Sequence, residues 1–259
     1  MCGTQARRRA RTSSANPYTN YSIYATSKFI EPIGTIDYVV PISHDVADVY
    51  RRSLPRPCPN RCSDSHHCLR KHYLTASRVA GILQMGYGSP EYILKQYVLD
   101  LRVKETPAMC EGRSMEPYIL RRFSETTGVL CTHSVPLTVH KELPWLAASF
   151  DGLTGFLGEP VEIKYMHTRH PRNDEICPIA YWVQMQIQME VADKENCYYV
   201  EYKPASRMGY NEDAEYFNIC VVKRDREWFK GVLPRLQWFW NLVKTHRRLL
   251  GRLGFALER

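Results

Sequence analysis

The stretch Ala147–Lys164, AASFDGLTGFLGEPVEIK, constrains the fold more than any other part of the chain. An apolar run ends at Asp151, two glycines allow a turn, and a short alternating run follows. Successive side chains of a strand point to opposite faces, so Glu162 and Lys164 would share one face while their apolar neighbours face a core. If the two runs pair as a hairpin, Asp151 lies near Glu162.

Two carboxylates and one ammonium would then converge, and that arrangement favours a divalent cation. Close carboxylates repel each other unless a cation neutralises them, and Mg²⁺ or Mn²⁺ prefers such hard oxygen ligands. A bound metal can activate water for attack on phosphorus, while Lys164 orients the nucleophile or neutralises charge. The alternative is structural, because Asp-Gly is a common turn and an acid and a base on one strand face are often solvated.

Length and charge suggest a single large domain with a polyanionic partner. The chain has 259 residues, a formal net charge of +8 and 9 cysteines. Basic side chains bind phosphates without sequence preference. The N-terminus has no apolar segment typical of a secretory signal, and no apolar run is long enough to span a membrane. We expect an intracellular, reducing compartment with most thiols free.

The N-terminal part differs in composition from the rest. Residues 1–16 are polar and basic, which predicts a disordered tail. The run Arg7–Arg11 is a candidate nuclear import signal or nucleic-acid tether, with a solvated tail as the alternative. Residues 17–69 are expected to form an extension packed on the core, and residues 70–259 the main domain.

The extension ends in a Cys/His-rich stretch, CPNRCSDSHHCLRKH. Cys58, Cys62 and Cys68, with His72 or one of the two preceding histidines, could supply four ligands to a structural Zn²⁺. The spacing matches no standard zinc finger, so a loop with free thiols is the alternative.

Arg70 and the segment Leu74–Ser77 form a candidate phosphate site. Thr75 or Ser77 is placed to cap a helix N-terminus before an apolar-periodic run. A helix N-terminus with a free hydroxyl and a nearby arginine also suits a phosphate, and Arg70 is the candidate partner of Ser77.

Hydrophobic periodicity predicts a series of helices and strands from this segment to the C-terminus. The predicted helices are 91–103, 109–127, 179–191 and 225–250, and the predicted strands are 129–139, 145–150, 161–164, 197–202 and 216–222. Glu116 lies beside the apolar stripe of the second helix, as a surface acid or as a third carboxylate facing a cleft. On the third helix, Tyr181, Gln184 and Gln188 share one face.

Five short motifs occur in a fixed order. They are Leu69-Arg70 with Leu74-Thr75-Ala76-Ser77; Gly112-Arg113-Ser114-Met115-Glu116 closed by Thr127-Gly128; Ala148-Ser149-Phe150-Asp151-Gly152-Leu153; Glu162-Ile163-Lys164; and Tyr181 with Gln184-Met185-Gln186. In this order and spacing they resemble the lambda-exonuclease/YqaJ-type viral recombinase nucleases of the PD-(D/E)XK class. Phe150 replaces the usual proline before the aspartate, which removes no ligand.

The resemblance implies a role for each matching residue. Asp151, Glu162 and the backbone carbonyl of Ile163 would bind the metal. Lys164 would activate or position the attacking water. Glu116 would complete the acidic cluster. Gln184 would orient Lys164 or the substrate. A 5′-phosphate or the backbone of the scissile strand would be bound by Arg70, Ser77 and Ser149.

The resemblance also implies a fold and an activity. The fold would be α/β, with a central mixed sheet flanked by helices. The activity would be Mg²⁺- or Mn²⁺-dependent exonucleolytic digestion of double-stranded DNA from a 5′ end. Relatives serve viral recombination and genome processing, often with a single-strand annealing protein, and some form trimers. The alternatives are an endonuclease or RNase on the same scaffold, or a non-catalytic DNA-binding module.

Overall fold

A computed structural model of the chain describes residues 52, 69–101, 105–167, 177–207 and 215–252. Within these residues the strands are β1 (Leu74–Thr75), β2 (Cys131–Val139), β3 (Leu146–Thr154), β4 (Pro160–Tyr165), β5 (Asn196–Lys203) and β6 (Tyr216–Lys223). The α-helices are α1 (Ala76–Ile82), α2 (Pro90–Val98), α3 (Pro107–Thr127), α4 (Ile179–Ala192) and α5 (Arg226–Arg252). A short 3₁₀ helix covers Ala205–Arg207.

The strands form one mixed six-stranded sheet with β3 near its middle. Strand β2 runs antiparallel to β3 along one edge, from Cys131↔Thr154 to Val139↔Ala147. The other edge of β3 pairs with two strands: β1, parallel, at Leu74↔Leu146, and β4, antiparallel, at Gly152↔Val161. Strand β5 is parallel to β4 and antiparallel to β6. The predicted central mixed sheet is confirmed.

Both faces of the sheet are covered by apolar helix surfaces. Helices α1, α4 and α5 contribute to the larger cluster, which includes Val79, Met185, Leu236 and the sheet residue Tyr199. Helix α3 covers the opposite face with a smaller cluster. That cluster contains Ile119, Phe123, Val161 and Ile163, as the sequence periodicity predicted. The mixed sheet therefore lies between two helical layers.

Several helix ends follow local sequence signals. Ser89 and Thr106 each precede a proline, and their hydroxyls accept the capping bonds of α2 and α3. Gly128 ends α3 in the left-handed conformation, with φ of 72°. Thr75 occupies the N-cap position of α1, but its side chain makes no capping hydrogen bond, so the predicted hydroxyl cap is absent there.

Arg52 ties the N-terminal extension to the core. Its guanidinium donates to the carbonyls of Val191 at 2.6 Å and Ala192 at 3.4 Å, at the C-terminal end of α4. A cation at a helix C-terminus complements the helix dipole. The predicted basic tail, the rest of the extension up to residue 68, and Cys58, Cys62 and Cys68 lie outside the described residues. The predicted zinc site therefore remains a prediction, and its histidine candidate, His72, is exposed.

No helix in the described ranges is both long and apolar enough to cross a membrane.

Gly152→Ala should lower the free energy of unfolding by about 1–3 kcal/mol. A Cβ there would lie 2.9 Å from Leu120 Cδ2 and 3.0 Å from the Thr132 carbonyl oxygen, so α3 or β2 must shift. Gly231→Ala is the matched control, because nothing lies within 4 Å of its Cβ position in α5. The control should gain about 0.5–1 kcal/mol. Urea unfolding measures both, and equal effects would contradict the packing argument.

Candidate active site

The hairpin of β3 and β4 brings Asp151 and Glu162 together, as the sequence predicted. Gly152 pairs with Val161, so continuing this register by one residue sets Asp151 across from Glu162 on the same face. The Ile163 amide donates to Asp151 Oδ2 at 2.8 Å and holds that carboxylate against β4. Strand β3 continues through Asp151 to Thr154, rather than ending at the acid as the sequence suggested.

Glu162 is a buried carboxylate with a donor on each oxygen. Its side chain is only 2% exposed, although it faces away from the apolar cluster under α3. Oε1 accepts from Lys164 Nζ and from Gln184 Nε2, the latter at 2.7 Å. Oε2 accepts from Gln188 Nε2 at 2.5 Å. Strand β4 and helix α4 therefore fix this carboxylate from two sides.

Electrostatics couple a third acid to this pair. Burial and the Glu162 carboxylate raise the pKa of Asp151 well above its ordinary value, against the opposing effect of Lys164. Burial also raises the pKa of Glu116, with Glu162 acting in the same direction. Glu116 is therefore close enough to the acid pair to be affected by its charge, and it is partly buried rather than fully solvated.

Lys164 is held between its carboxylate partner and an aromatic ring. Burial opposes its charge, but the Glu162 and Asp151 carboxylates outweigh that effect and raise the pKa of Lys164. Its Nζ also lies 4.7 Å from the centre of the Tyr181 ring, a cation–π geometry. The ammonium therefore stays protonated and aimed at the acids.

Arg70 and Ser77 meet as predicted. Arg70 Nη2 donates to Ser77 Oγ at 2.8 Å. Burial lowers the pKa of Arg70, while the charges of Glu162 and Asp151 act in the opposite direction, so this guanidinium is close enough to sense the acid pair. Ser149 lies two residues before Asp151 on β3, on the same strand face. Arg70 and Ser77 flank β1, which pairs with β3 at Leu146 and Ala147, so all three predicted phosphate-binding residues lie near the β1 end of the site.

The donor set fits a small divalent cation. Burial and the neighbouring Glu162 make the ionised form of Asp151 unfavourable, which a bound cation would offset. Carboxylate oxygens are also the ligands that Mg²⁺ and Mn²⁺ prefer. In the described part of the chain, no group of three or more His, Cys, Asp or Glu side chains is gathered closely enough to hold a metal. Mg²⁺ commonly uses one or two carboxylates and keeps several waters, so two acids suffice. Glu116 and the Ile163 carbonyl stay predictions as ligands.

The three glutamines of α4 have different partners. Gln184 and Gln188 both bind Glu162. Gln186 points elsewhere: it donates to the Lys223 carbonyl at 2.8 Å and accepts from the Asp225 amide at 2.7 Å. The shared face of Tyr181, Gln184 and Gln188 was visible in their sequence spacing, but their target was not. Gln184 reaches Lys164 only through their shared acceptor, so its predicted orienting role stays a prediction.

Strand β5 adds buried polar groups that the sequence analysis missed. Glu201 pairs in register with Lys164 and accepts from the Tyr199 hydroxyl at 2.7 Å. Glu201 and Lys203 are 6% and 1% exposed. The sequence did carry a signal for these groups, because β5 contains two charged residues among mostly apolar and aromatic ones. Charged residues are rarely buried without partners, so their presence in such a strand indicates a buried polar contact.

The chain leaving β4 is tied to α3 before it enters residues 168–176, which are outside the described part. The Tyr165 hydroxyl donates to Glu111 Oε1 at 2.6 Å, and His167 Nε2 lies 3.3 Å from Glu111 Oε2. His167 is the last described residue before this gap, and its ring lies beside the Glu111 carboxylate.

Comparison with known proteins agrees with this fold. An alkaline exonuclease from Laribacter hongkongensis aligns over 75% of this chain and 100% of its own, with a TM-score of 0.59 and 23% identity. A phage-related exonuclease from Haemophilus somnus 129PT aligns over 72% and 99%, with a TM-score of 0.52 and 14% identity. A search of curated proteins found no significant match.

The fold is therefore of the PD-(D/E)XK-like class. The model of the YqaJ-like viral recombinase domain matches residues 65–195. The chain belongs to this family, as its motifs predicted.

Asp151→Asn should raise the free energy of unfolding by about 1 kcal/mol or more at mildly alkaline pH in a chelator. Asparagine keeps an acceptor for the Ile163 amide but removes a carboxylate whose pKa is raised by burial and by Glu162. The gain should vanish as the pH falls below the unfolded-state pKa, because the carboxyl is then neutral in both states. Urea unfolding across pH measures this, and a pH-independent gain would exclude ionisation as the cause.

Proposed function

We propose that this protein is a Mg²⁺- or Mn²⁺-dependent exonuclease that digests double-stranded DNA in the 5′ to 3′ direction. The observation that carries the proposal is the convergence of Asp151, Glu162 and Lys164 at one hairpin of a YqaJ-family fold. A protein that only binds DNA gains nothing from acids facing its phosphates, because like charges repel.

The structural relatives support the same chemistry. The two solved proteins described above are an alkaline exonuclease and a phage-related exonuclease, and the first has also been solved in complex with dAMP. A mononucleotide is the product that stepwise DNA digestion would release. The net charge of +8 is consistent with a polyanionic substrate.

Each residue of the site has a defined task in this proposal. Asp151 and Glu162 would hold the metal, with the Ile163 carbonyl as a further ligand and Glu116 as an outer acid. When bound, the metal would supply a water of lowered pKa and stabilise charge on the attacked phosphate. Lys164 orients the attacking water and neutralises charge with its ammonium.

Substrate positioning is assigned to the β1 side of the site. Arg70 and Ser77, which already share a hydrogen bond, would bind the terminal 5′-phosphate. A guanidinium suits this task because its planar donors match phosphate oxygens. Ser149 would contact the scissile strand next to the acids, which is consistent with its place two residues before Asp151.

The cellular role follows from the family. The description of the domain as a viral recombinase supports a task in recombination or genome processing inside a cell. We propose a single-strand annealing protein as its partner and a homotrimer as its assembly, as the resemblance to the family implies. The basic run Arg7–Arg11 supports delivery to a nucleus.

Lys164→Ala should reduce cleavage of linear duplex DNA by about 10³-fold or more, because it removes the ammonium facing the acids. Lys95→Ala, on the exposed face of α2, is the matched control and should cleave at the native rate. Release of acid-soluble nucleotides in Mg²⁺ measures both. Cleavage by Lys164→Ala at the native rate would refute the assignment. Degradation of circular duplex by native protein would instead indicate an endonuclease.

Arg70→Gln should reduce the preference for 5′-phosphorylated over 5′-hydroxyl duplex ends by about 10–100-fold, the value of a charge-assisted hydrogen bond. Arg226→Gln removes an exposed guanidinium that pairs with Glu195, and should leave the preference unchanged. Digestion of end-labelled duplexes of each kind measures the ratio. A native protein with no preference would remove Arg70, Ser77 and Ser149 from the site but leave the acid pair in place.

A further inference from the structure

The edge of β3 that carries the acid site is left open between two ladders. On this edge β1 pairs with Leu146 and Ala147, and β4 pairs with Gly152 and Leu153. The segment from residue 148 to residue 151 lies between these two ladders. Its backbone groups on this edge therefore need side-chain partners, because unpaired buried backbone groups are costly.

Gln188 spans this opening with a single side-chain amide. Its Nε2 donates to the Ser149 carbonyl at 3.1 Å and to Glu162 Oε2 at 2.5 Å. A side-chain amide nitrogen carries two hydrogens, so one hydrogen can bond to β3 and the other to β4. The backbone amide of Ile163 also donates to Asp151. Together with the side-chain amide of Gln188, this bond connects β3 and β4 beyond the end of their backbone ladder.

The direction of this amide is fixed by chemistry. Both of its partners are acceptors, so only the nitrogen end can face them. On the other end, Cys197 Sγ lies 4.0 Å from Gln188 Oε1, within reach of a weak S–H donor. Burial raises the pKa of Cys197 well above its ordinary value, which keeps this thiol protonated. Gln188 itself is fully buried, so solvent does not compete for its amide.

We infer that Gln188 is a positioning residue that holds the Glu162 carboxylate toward Asp151 and so sets the affinity of the acid pair for a divalent cation. The inference rests on the proposed metal-dependent function and adds to it a residue outside the five motifs. Gln188 binds the Glu162 carboxylate and not the substrate, so it would act on a bound metal only through Glu162. Loss of such a partner typically weakens metal binding by about 10–100-fold.

Gln186 supplies a matched control. It lies two residues earlier on the same helix and is equally buried, but its amide binds the chain between β6 and α5 and makes no bond to Glu162. Gln186→Met and Gln188→Met remove the same polar group from the same helix in similar volume. Any general effect of a buried glutamine on stability should therefore be shared by the two variants.

The experiment titrates native protein and both variants with Ca²⁺ and follows the rise in Tm, then repeats the titration with Mg²⁺ and measures duplex cleavage. Gln188→Met should shift the half-saturating concentration of both cations upward by about tenfold or more, with the KM for DNA unchanged. Gln186→Met should lower Tm and leave the half-saturating concentrations unchanged. Equal half-saturation for Gln188→Met and native protein, or an equal shift in the two variants, would overturn the inference.

Two further measurements keep the test decisive if Gln188→Met does not fold. Gln188→Asn keeps the amide but withdraws it by one methylene, and should shift the cation dependence in the same direction. In native protein labelled with ¹⁵N-glutamine, Ca²⁺ should move the side-chain amide signal of Gln188 and not that of Gln186. A native protein that neither binds cations nor cleaves DNA would refute the proposed function, whereas one that does both with an unmoved Gln188 signal would refute only this inference.

Discussion

The site depends on one buried carboxylate whose two oxygens both need hydrogen-bond donors. Glu162 is almost fully enclosed, and three donors from two elements bind its two oxygens. A buried charge without such partners would be strongly unfavourable. This requirement fixes how α4 crosses the sheet: its polar face, with Gln184 and Gln188, must lie over β4, while its other residues fill the larger core.

The same arrangement places two carboxylates side by side in a buried site, which is electrostatically unfavourable. Asp151 lies beside Glu162, and burial together with this neighbour makes its ionised form costly. Lys164 opposes this repulsion, but the pKa of Asp151 remains raised, with burial as the largest cause. A cation bound between the acids would relieve the rest, so the groups that weaken the free protein are the same groups that suit it to metal-dependent chemistry.

Much of the fold was predictable because local patterns and tertiary packing agree. The alternation at β4 correctly assigned Val161 and Ile163 to a core and Glu162 to the opposite face. Prediction was weaker where long-range contacts decided the outcome. Helix α2 ends at Val98 rather than near residue 103, with Asp100 in a left-handed conformation and bonded to Lys71. Thr75 has its amide bound to the Tyr97 hydroxyl instead of forming a side-chain cap.

The sequence by itself determined the family and most of the helices and strands, and it singled out Asp151, Glu162 and Lys164 as a candidate set, because these depend on motifs, periodicity and short-range spacing. Only the tertiary structure decided that β1 and β4 share one edge of β3, and that Gln188 bridges the opening while Gln186 does not. The reason is physical: strand order and helix rotation are set by how the whole core packs, and two glutamines two positions apart on a helix look alike until that packing gives each a partner.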